Sequence, residues 1–314
     1  MAKHTRGRAA LALTVITPLS AELTLGNPPL RMVWLMLLWI PIYGAGTLLI
    51  RELVRRRGGG WPSVLLYGLA YGIVEEGLVL QALSSPTMYG AADWAPRILG
   101  LNSAYTELNL PYHAVFSVAI PILLTDLLFP SLRDQPYLGR TGLWVTGAVF
   151  VLGGLLLRVG MVPFLDPGYQ VPVPLLVGYL VAIGALCVAA SRPGRTVAHG
   201  GAPRPWVLAA AGAVAAFGYL ALLFPFAGLH LGVWGMAGAL LLLVGAAVLL
   251  RWWSDLHALA LAGGALAGHT AFGVVANADT VADRVSLALL GVLMVALLWR
   301  LKNSVSARSQ SGVS

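Results

Sequence analysis

The chain is a succession of apolar runs, each roughly twenty residues long, separated by short connections that carry most of its charge. A run of that length spans a bilayer as a helix. In hydrocarbon every backbone polar group must be satisfied inside the segment, so such runs have little choice but to be helical. Ten runs are predicted: Ala9–Leu25, Met32–Ile50, Trp61–Leu83, Tyr112–Phe129, Leu143–Met161, Val171–Ala190, Trp206–Leu223, Val233–Leu250, His257–Ala276 and Val285–Leu301. The first follows a basic start (Lys3, Arg6, Arg8) and has the outline of a signal peptide, but its length and Glu22 mark it as a span. Pro41 is expected to bend the second. The fold class is therefore an all-α, polytopic transmembrane bundle, a single domain over residues 1–302, with a Ser-rich tail at 303–314 expected to be disordered.

Charge placement tests the count. If the N-terminus is cytoplasmic, sixteen of the twenty Lys and Arg fall on inner segments, among them Arg55, Arg56, Arg57, Arg133, Arg195 and Arg251; only Arg31, Arg97, Arg158 and Arg284 fall outside. Adding or removing one crossing destroys that asymmetry, so both termini are expected in the cytoplasm of a multi-pass cell-membrane protein. The net charge of +8 thus marks topology, and no nucleic-acid partner is expected. Cys187 is the only cysteine, which excludes an internal disulfide and a cysteine-based metal site.

Inside the third run stands Tyr67-Gly68-Leu69-Ala70-Tyr71-Gly72-Ile73-Val74-Glu75-Glu76-Gly77. Carboxylates at that depth are costly and usually face a protein interior where they serve function. Removal of water favours the neutral form of a carboxyl group, as does a second carboxyl beside it, so the pair offers a proton donor. Residues spaced by four share a helix face. Tyr67, Tyr71 and Glu75 form one stripe, suited to lining a pocket; Gly68, Gly72 and Glu76 form another, suited to close helix approach. On the ten-helix topology Glu22, His113 and His269 reach a similar level, with Glu107, Asn109, Asn277 and Asp279 nearby. Asp126 and Glu52 belong to the opposite side, as partners for its arginines. The long connection from Gln81 to Leu110, with Tyr89, Trp94 and Tyr105, is expected to act as a lid.

No phosphate-binding loop, dinucleotide fingerprint, H-E-x-x-H or G-x-S-x-G occurs. Asp279-Thr280-Val281-Ala282-Asp283 has the D-x-x-x-D form of diphosphate-binding motifs but lacks a second acidic motif. The remaining set of carboxyls, histidines and aromatics suits two chemistries. One is proton-initiated cyclisation of a polyene, with aromatic faces stabilising the cation. The other is hydrolysis by a glutamate-activated water, with histidines holding the oxyanion.

Two resemblances bear on the choice. Glu75-Glu76 resembles the E-E-x-x-x-R motif of CAAX-processing and abortive-infection glutamate intramembrane proteases, with Leu80 in the arginine place. Asn109 before His113 stands where that family has F-x-x-x-H, and His269 is followed at the fourth place by Gly273 instead of Asn. In size, hydropathy and acidic content the whole chain resembles the actinobacterial membrane terpene cyclases of indolosesquiterpene and drimentine-type pathways. The segments Tyr43–Glu52 and Tyr71–Gly77 look like those of a wider set of bacterial membrane proteins. The cyclase resemblance implies a farnesylated or epoxyfarnesylated lipophilic substrate and no metal or other cofactor. The favoured reading is such a cyclase, with Glu75, Glu76, Glu22, His113 and His269 as catalytic candidates and Tyr67, Tyr71, Trp94, Tyr105 and Asn109 lining the substrate site. The protease and a proton-coupled transporter or non-enzymatic membrane protein are the alternatives.

Overall fold

A computed structural model describes residues 2–192, 203–225, 230–249 and 254–310. Each apolar run forms a helix: α1 (Ala2–Ala21), α2 (Leu30–Arg56), α3 (Trp61–Gly72, continued by a π-helical segment Ile73–Val79), α4 (Ser103–Leu128), α5 (Arg140–Gly160), α6 (Val173–Ala190), α7 (Pro205–Leu223), α8 (Gly232–Leu249), α9 (Asp255–Ala276) and α10 (Val281–Gln310). Eight of them are long and apolar enough to cross a membrane; α8 is shorter, and α3 falls outside that set because its two glutamates and three N-terminal residues dilute its hydropathy. The expected inner arginines Arg195 and Arg251, and residues 311–314, lie outside the described residues.

Contacts between connections bear out the alternation of sides. At one end Arg6 donates to Gln135, Arg56 to the Leu138 carbonyl, Arg133 pairs with Asp255, and Arg308 donates to the Leu127 carbonyl. At the other end Arg31 pairs with Asp283, Ser85 donates to Asp166, and Trp94 packs on Phe224. Each contact joins connections that ten crossings put on the same side, and α1 begins at the same end where α10 finishes.

The arginine-rich end is pinned by a buried ion-pair network. Arg51 is fully buried; its Nε and Nη2 donate to Asp126 Oδ1 at 3.0 and 2.8 Å, its remaining donors reach the Leu132, Arg133 and Gln135 carbonyls, and its guanidinium lies 3.4 Å over the Tyr137 ring. Arg55 takes the other Asp126 oxygen at 2.6 Å, and Glu52 accepts from Arg56 and the Tyr137 amide. Asp126 and Glu52 do partner the arginines, but in the protein interior instead of at an exposed interface. Arg133, outside the spans, has its guanidinium held more firmly in the charged form by Asp255, although burial acts the other way.

Two further expectations change. The segment 303–310 is helical, not disordered: Val305 is buried and Arg308 caps a carbonyl of α4, so tertiary contacts carry α10 past the apolar run. The D-x-x-x-D segment is a helix start, in which Thr280 and Asp283 bond each other and Arg31 neutralises Asp283.

Candidate functional site

Three of these helices carry a π-helical segment: Ile40–Gly44 in α2, Ile73–Val79 in α3 and His113–Ala119 in α4. Such segments are uncommon and cluster at functional sites. Here each delivers a polar side chain to one place: Tyr43 from the first, Glu75 and Glu76 from the second, His113 from the third. Pro41 lies in the α2 segment, where its missing N–H frees the local backbone ladder, so the expected bend takes this form.

α3 and α4 meet through the glycine stripe. A methyl group on Gly68 would stand 2.7 Å from the Ala114 Cα, and one on Gly72 about 3.4 Å from the His113 Cβ. That approach sets His113 against both carboxyls: its Nε2 lies 2.9 Å from Glu75 Oε2 and 3.2 Å from Glu76 Oε1. In a regular α-helix neighbouring side chains diverge by about 100°. The π-helical segment has more residues per turn, which narrows the angle and lets both glutamates face one nitrogen. Glu76 does point at the helix that the glycines touch; that helix is where the site is.

The two carboxyls differ. Glu76 receives the Tyr105 hydroxyl on Oε2 at 2.8 Å and is in line with the His113 nitrogen through Oε1. Glu75 Oε2 is close to the same nitrogen but has no aligned donor, because one N–H serves one acceptor. The other ring nitrogen, Nδ1, pairs with Ser117 Oγ at 3.0 Å, one turn along α4. Glu75, Glu76 and His113 are all buried, none of these residues more than 4% exposed. Their three donor atoms lie within 4.8 Å of one another, a spacing a divalent cation could use.

Aromatic rings enclose the cluster. Tyr71 lies edge-on to His113 with centroids 5.6 Å apart, Tyr43 at 5.9 Å and Tyr112 at 5.7 Å. Glu22, at the end of α1, accepts from Tyr43 at 2.7 Å and from Asn27, so it joins the cluster at one remove. Asn109 donates to the Tyr105 carbonyl one turn before His113. Trp94 packs behind Tyr105, with Tyr89 stacked on its other side.

Two predicted residues are elsewhere. Tyr67 lies two turns toward the arginine-rich end and accepts from Arg57, so the stripe reaches the cluster only as far as Tyr71. His269 is buried in α9 and held by Tyr112, whose hydroxyl meets its Nε2 at 2.9 Å and also donates to the Ala21 carbonyl; Thr24 approaches its Nδ1, and Phe116 stacks on it with centroids 4.4 Å apart. Its backbone neighbours Gly264 and Gly268 press on α7. That is the environment of a packed, hydrogen-bonded histidine. Glu107 and Asn277 are also apart from the cluster: Tyr219 donates to the Glu107 carbonyl, and Asn277 to that of Leu25.

Sequence reasoning missed Ser117, Tyr43 and Tyr112 as partners. Ser117 had a signal, four residues after His113. Tyr43 had only its place at the head of the Tyr43–Glu52 segment. The long connection is fastened instead of free: Ser85 and Thr87 both donate to buried Asp166, Tyr169 donates to Ser84, and Asn102 donates to the Ala82 and Ser85 carbonyls. It is a fixed cap over Tyr105.

Fold and site together define a polytopic helical membrane protein with a buried Glu–Glu–His centre. The chain belongs to a family described as an uncharacterized membrane protein family, whose model matches residues 11–306. No curated protein and no solved structure shows significant similarity to it.

Proposed function

We propose that this protein is a membrane-embedded enzyme that starts the cyclisation of a prenylated, lipophilic substrate by proton transfer from Glu75. The observation that supports this most is the convergence of Glu75 and Glu76 on His113 Nε2 inside a wall of tyrosines. Glu75, the carboxyl without an aligned donor, carries the transferable proton. A substrate double bond uses its electron pair to take that proton, leaving a carbocation; with an epoxide the oxygen takes it and the C–O bond opens. The next double bond attacks the cation to close a ring, and loss of a proton from carbon ends the sequence, so the acid is restored. Tyr43, Tyr71 and Tyr112, with ring centroids 5.6–5.9 Å from that of His113, stabilise such a cation where their π-faces meet it. The Glu75 carboxylate left by the transfer balances the cation, and Glu76 is held beside it by Tyr105 and His113.

The test is Glu75→Gln, which keeps size and most hydrogen bonding but removes the proton. With an epoxyfarnesylated indole or diketopiperazine as substrate, turnover should fall by ~10²–10⁴-fold, the usual worth of general acid catalysis, while expression and substrate binding persist. Full activity in Glu75→Gln ends the acid role. A glutamate-type intramembrane hydrolase is the second reading, favoured by the arrival of His113 beside the glutamate doublet. It requires an oxyanion partner as well, and His269, its candidate, is engaged by Tyr112.

A further inference from the structure

A cavity of about 180 Å³ lies between α4 and the group formed by α7, α8 and α9, with the start of α3 at one end. Its origin is legible in the packing. α7 and α9 touch backbone to backbone: a methyl on Gly212 would stand 2.3 Å from the Leu261 carbonyl oxygen, and one on Gly264 1.9 Å from that of Ala209. α8 is clamped to α7 in the same way through Gly235 and Leu222. These three helices form a tight unit, and α4 stands off from it along the side chains of Tyr112, Phe116 and Leu123.

Along α4 the lining runs from Pro111 to Leu123, thirteen residues or twelve steps, about 18 Å at the regular helical rise of 1.5 Å per residue. It is therefore a slot parallel to the helices. One end is at Tyr112, whose ring is edge-on to His113; the other is at Trp61 and Ala258, next to the arginine-rich end. The walls are aliphatic and aromatic, and the two hydroxyls among them, of Tyr112 and Tyr219, are turned away onto backbone carbonyls. A slot so poor in hydrogen-bonding groups favours neither water nor a polar ligand. Hydrocarbon is what remains.

We infer that this slot binds the isoprenoid chain of the substrate, with its far end at Tyr112 and its polar head at the arginine-rich end. The inference rests on the cyclase reading and names the part of the protein that holds the tail. The slot runs from the end that charge asymmetry assigns to the cytoplasm as far as Tyr112, whose ring packs on His113. A membrane lipid's acyl chain has the same chemistry, so the two sources must be separated.

The experiment uses full-length protein in nanodiscs, a farnesol carrying a diazirine at its far end, and a phosphatidylcholine with a diazirine on one acyl chain. After irradiation the labelled peptides are identified by mass spectrometry. The expected result is farnesyl label on the α4, α7 and α9 residues that line the slot, suppressed by unlabelled farnesol and not by added phosphatidylcholine. Ala262→Phe and Leu243→Trp, which fill the slot from different helices, should each reduce this label at least tenfold and raise KM. Label spread over the lipid-facing surfaces of α5, α6 and α10, or equal labelling of the slot by the phospholipid, overturns the inference even if neither variant folds. The two proposals fail separately. Unchanged turnover in both filled variants removes the slot and leaves Glu75 in place; specific labelling of the slot beside a fully active Glu75→Gln removes the acid and leaves the slot.

Discussion

Replacing Gly68 by alanine tests the link from sequence stripe to site geometry. The new methyl would stand 2.7 Å from the Ala114 Cα and 3.1 Å from its Cβ, whereas ordinary contact begins at 3.4 Å. Two of the three nearest atoms are backbone, so no rotamer change relieves the clash and α3 must move away from α4 by several tenths of an ångström. The next turn is already in contact, Gly72 against Leu110 and His113, so the helices separate along their shared length. His113 precedes Ala114 by one residue, and its Nε2 contacts with Glu75 and Glu76 start at 2.9 and 3.2 Å. Opening of that size takes at least the longer contact outside hydrogen-bonding distance.

The cost follows from two opposed effects. Overpacking a close contact costs typically 1–3 kcal/mol, while alanine is better than glycine in a helix by about 1 kcal/mol. A net loss of roughly 0–2 kcal/mol is expected, and since a catalytic misplacement of 1 Å lowers rate by about 10²-fold, a shift of several tenths should lower it by roughly tenfold. Thermal unfolding in detergent, followed by tryptophan fluorescence, reads the first; turnover reads the second. Gly184→Ala is the control: it sits on α6 with nothing within 4 Å, so it should leave both measurements at or slightly above wild type. A Gly68→Ala protein as stable and as active as wild type would refute the claim that glycine contact positions His113.

Three other outcomes are expected. Asp126→Ala strands the buried guanidinium of Arg51 and should lower stability by ~3–5 kcal/mol in the same unfolding assay, more than Glu52→Ala, whose partner Arg56 is a third exposed. His269→Ala should reduce stability and slow turnover less than tenfold if Glu75 acts as a proton donor, and should abolish turnover if the centre is hydrolytic. On the cyclase reading, exhaustive treatment with EDTA should leave turnover unchanged; loss of activity restored by a divalent metal would show that the Glu75, Glu76 and His113 donors work through an ion.

Much of this architecture is legible in the sequence because the bilayer imposes it. An apolar run of twenty residues has few alternatives to a spanning helix, and the asymmetry of twenty cationic residues fixes how many runs there are. The network around Arg51 was legible only in part. Asp126 and Glu52 are on the side of the arginines, but nothing in the order of residues says that a guanidinium will be fully enclosed by the Asp126 carboxylate on α4 and three carbonyls from the following loop folded back over it.

The site was legible in its residue types and less so in its geometry, and the π-helical segments are the reason. Spacing arguments assume a constant angle per residue. That assumption put Glu75 and Glu76 on separate faces. It holds from Tyr67 to Tyr71, within the regular part of α3, and fails after Gly72, where the helix widens. The same assumption gave His269 and His113 equal standing because both reach a similar depth. Depth does not give direction: His269 faces Tyr112 and Phe116, while His113, on a widened segment of its own, faces the glutamates. A widened turn costs backbone hydrogen-bond quality, and Ile40–Gly44, Ile73–Val79 and His113–Ala119 accept that cost on three helices that meet at one point. Independent packing defects would scatter along the bundle. Their coincidence around one imidazole is better explained by a centre whose chemistry requires two carboxyls on the same nitrogen.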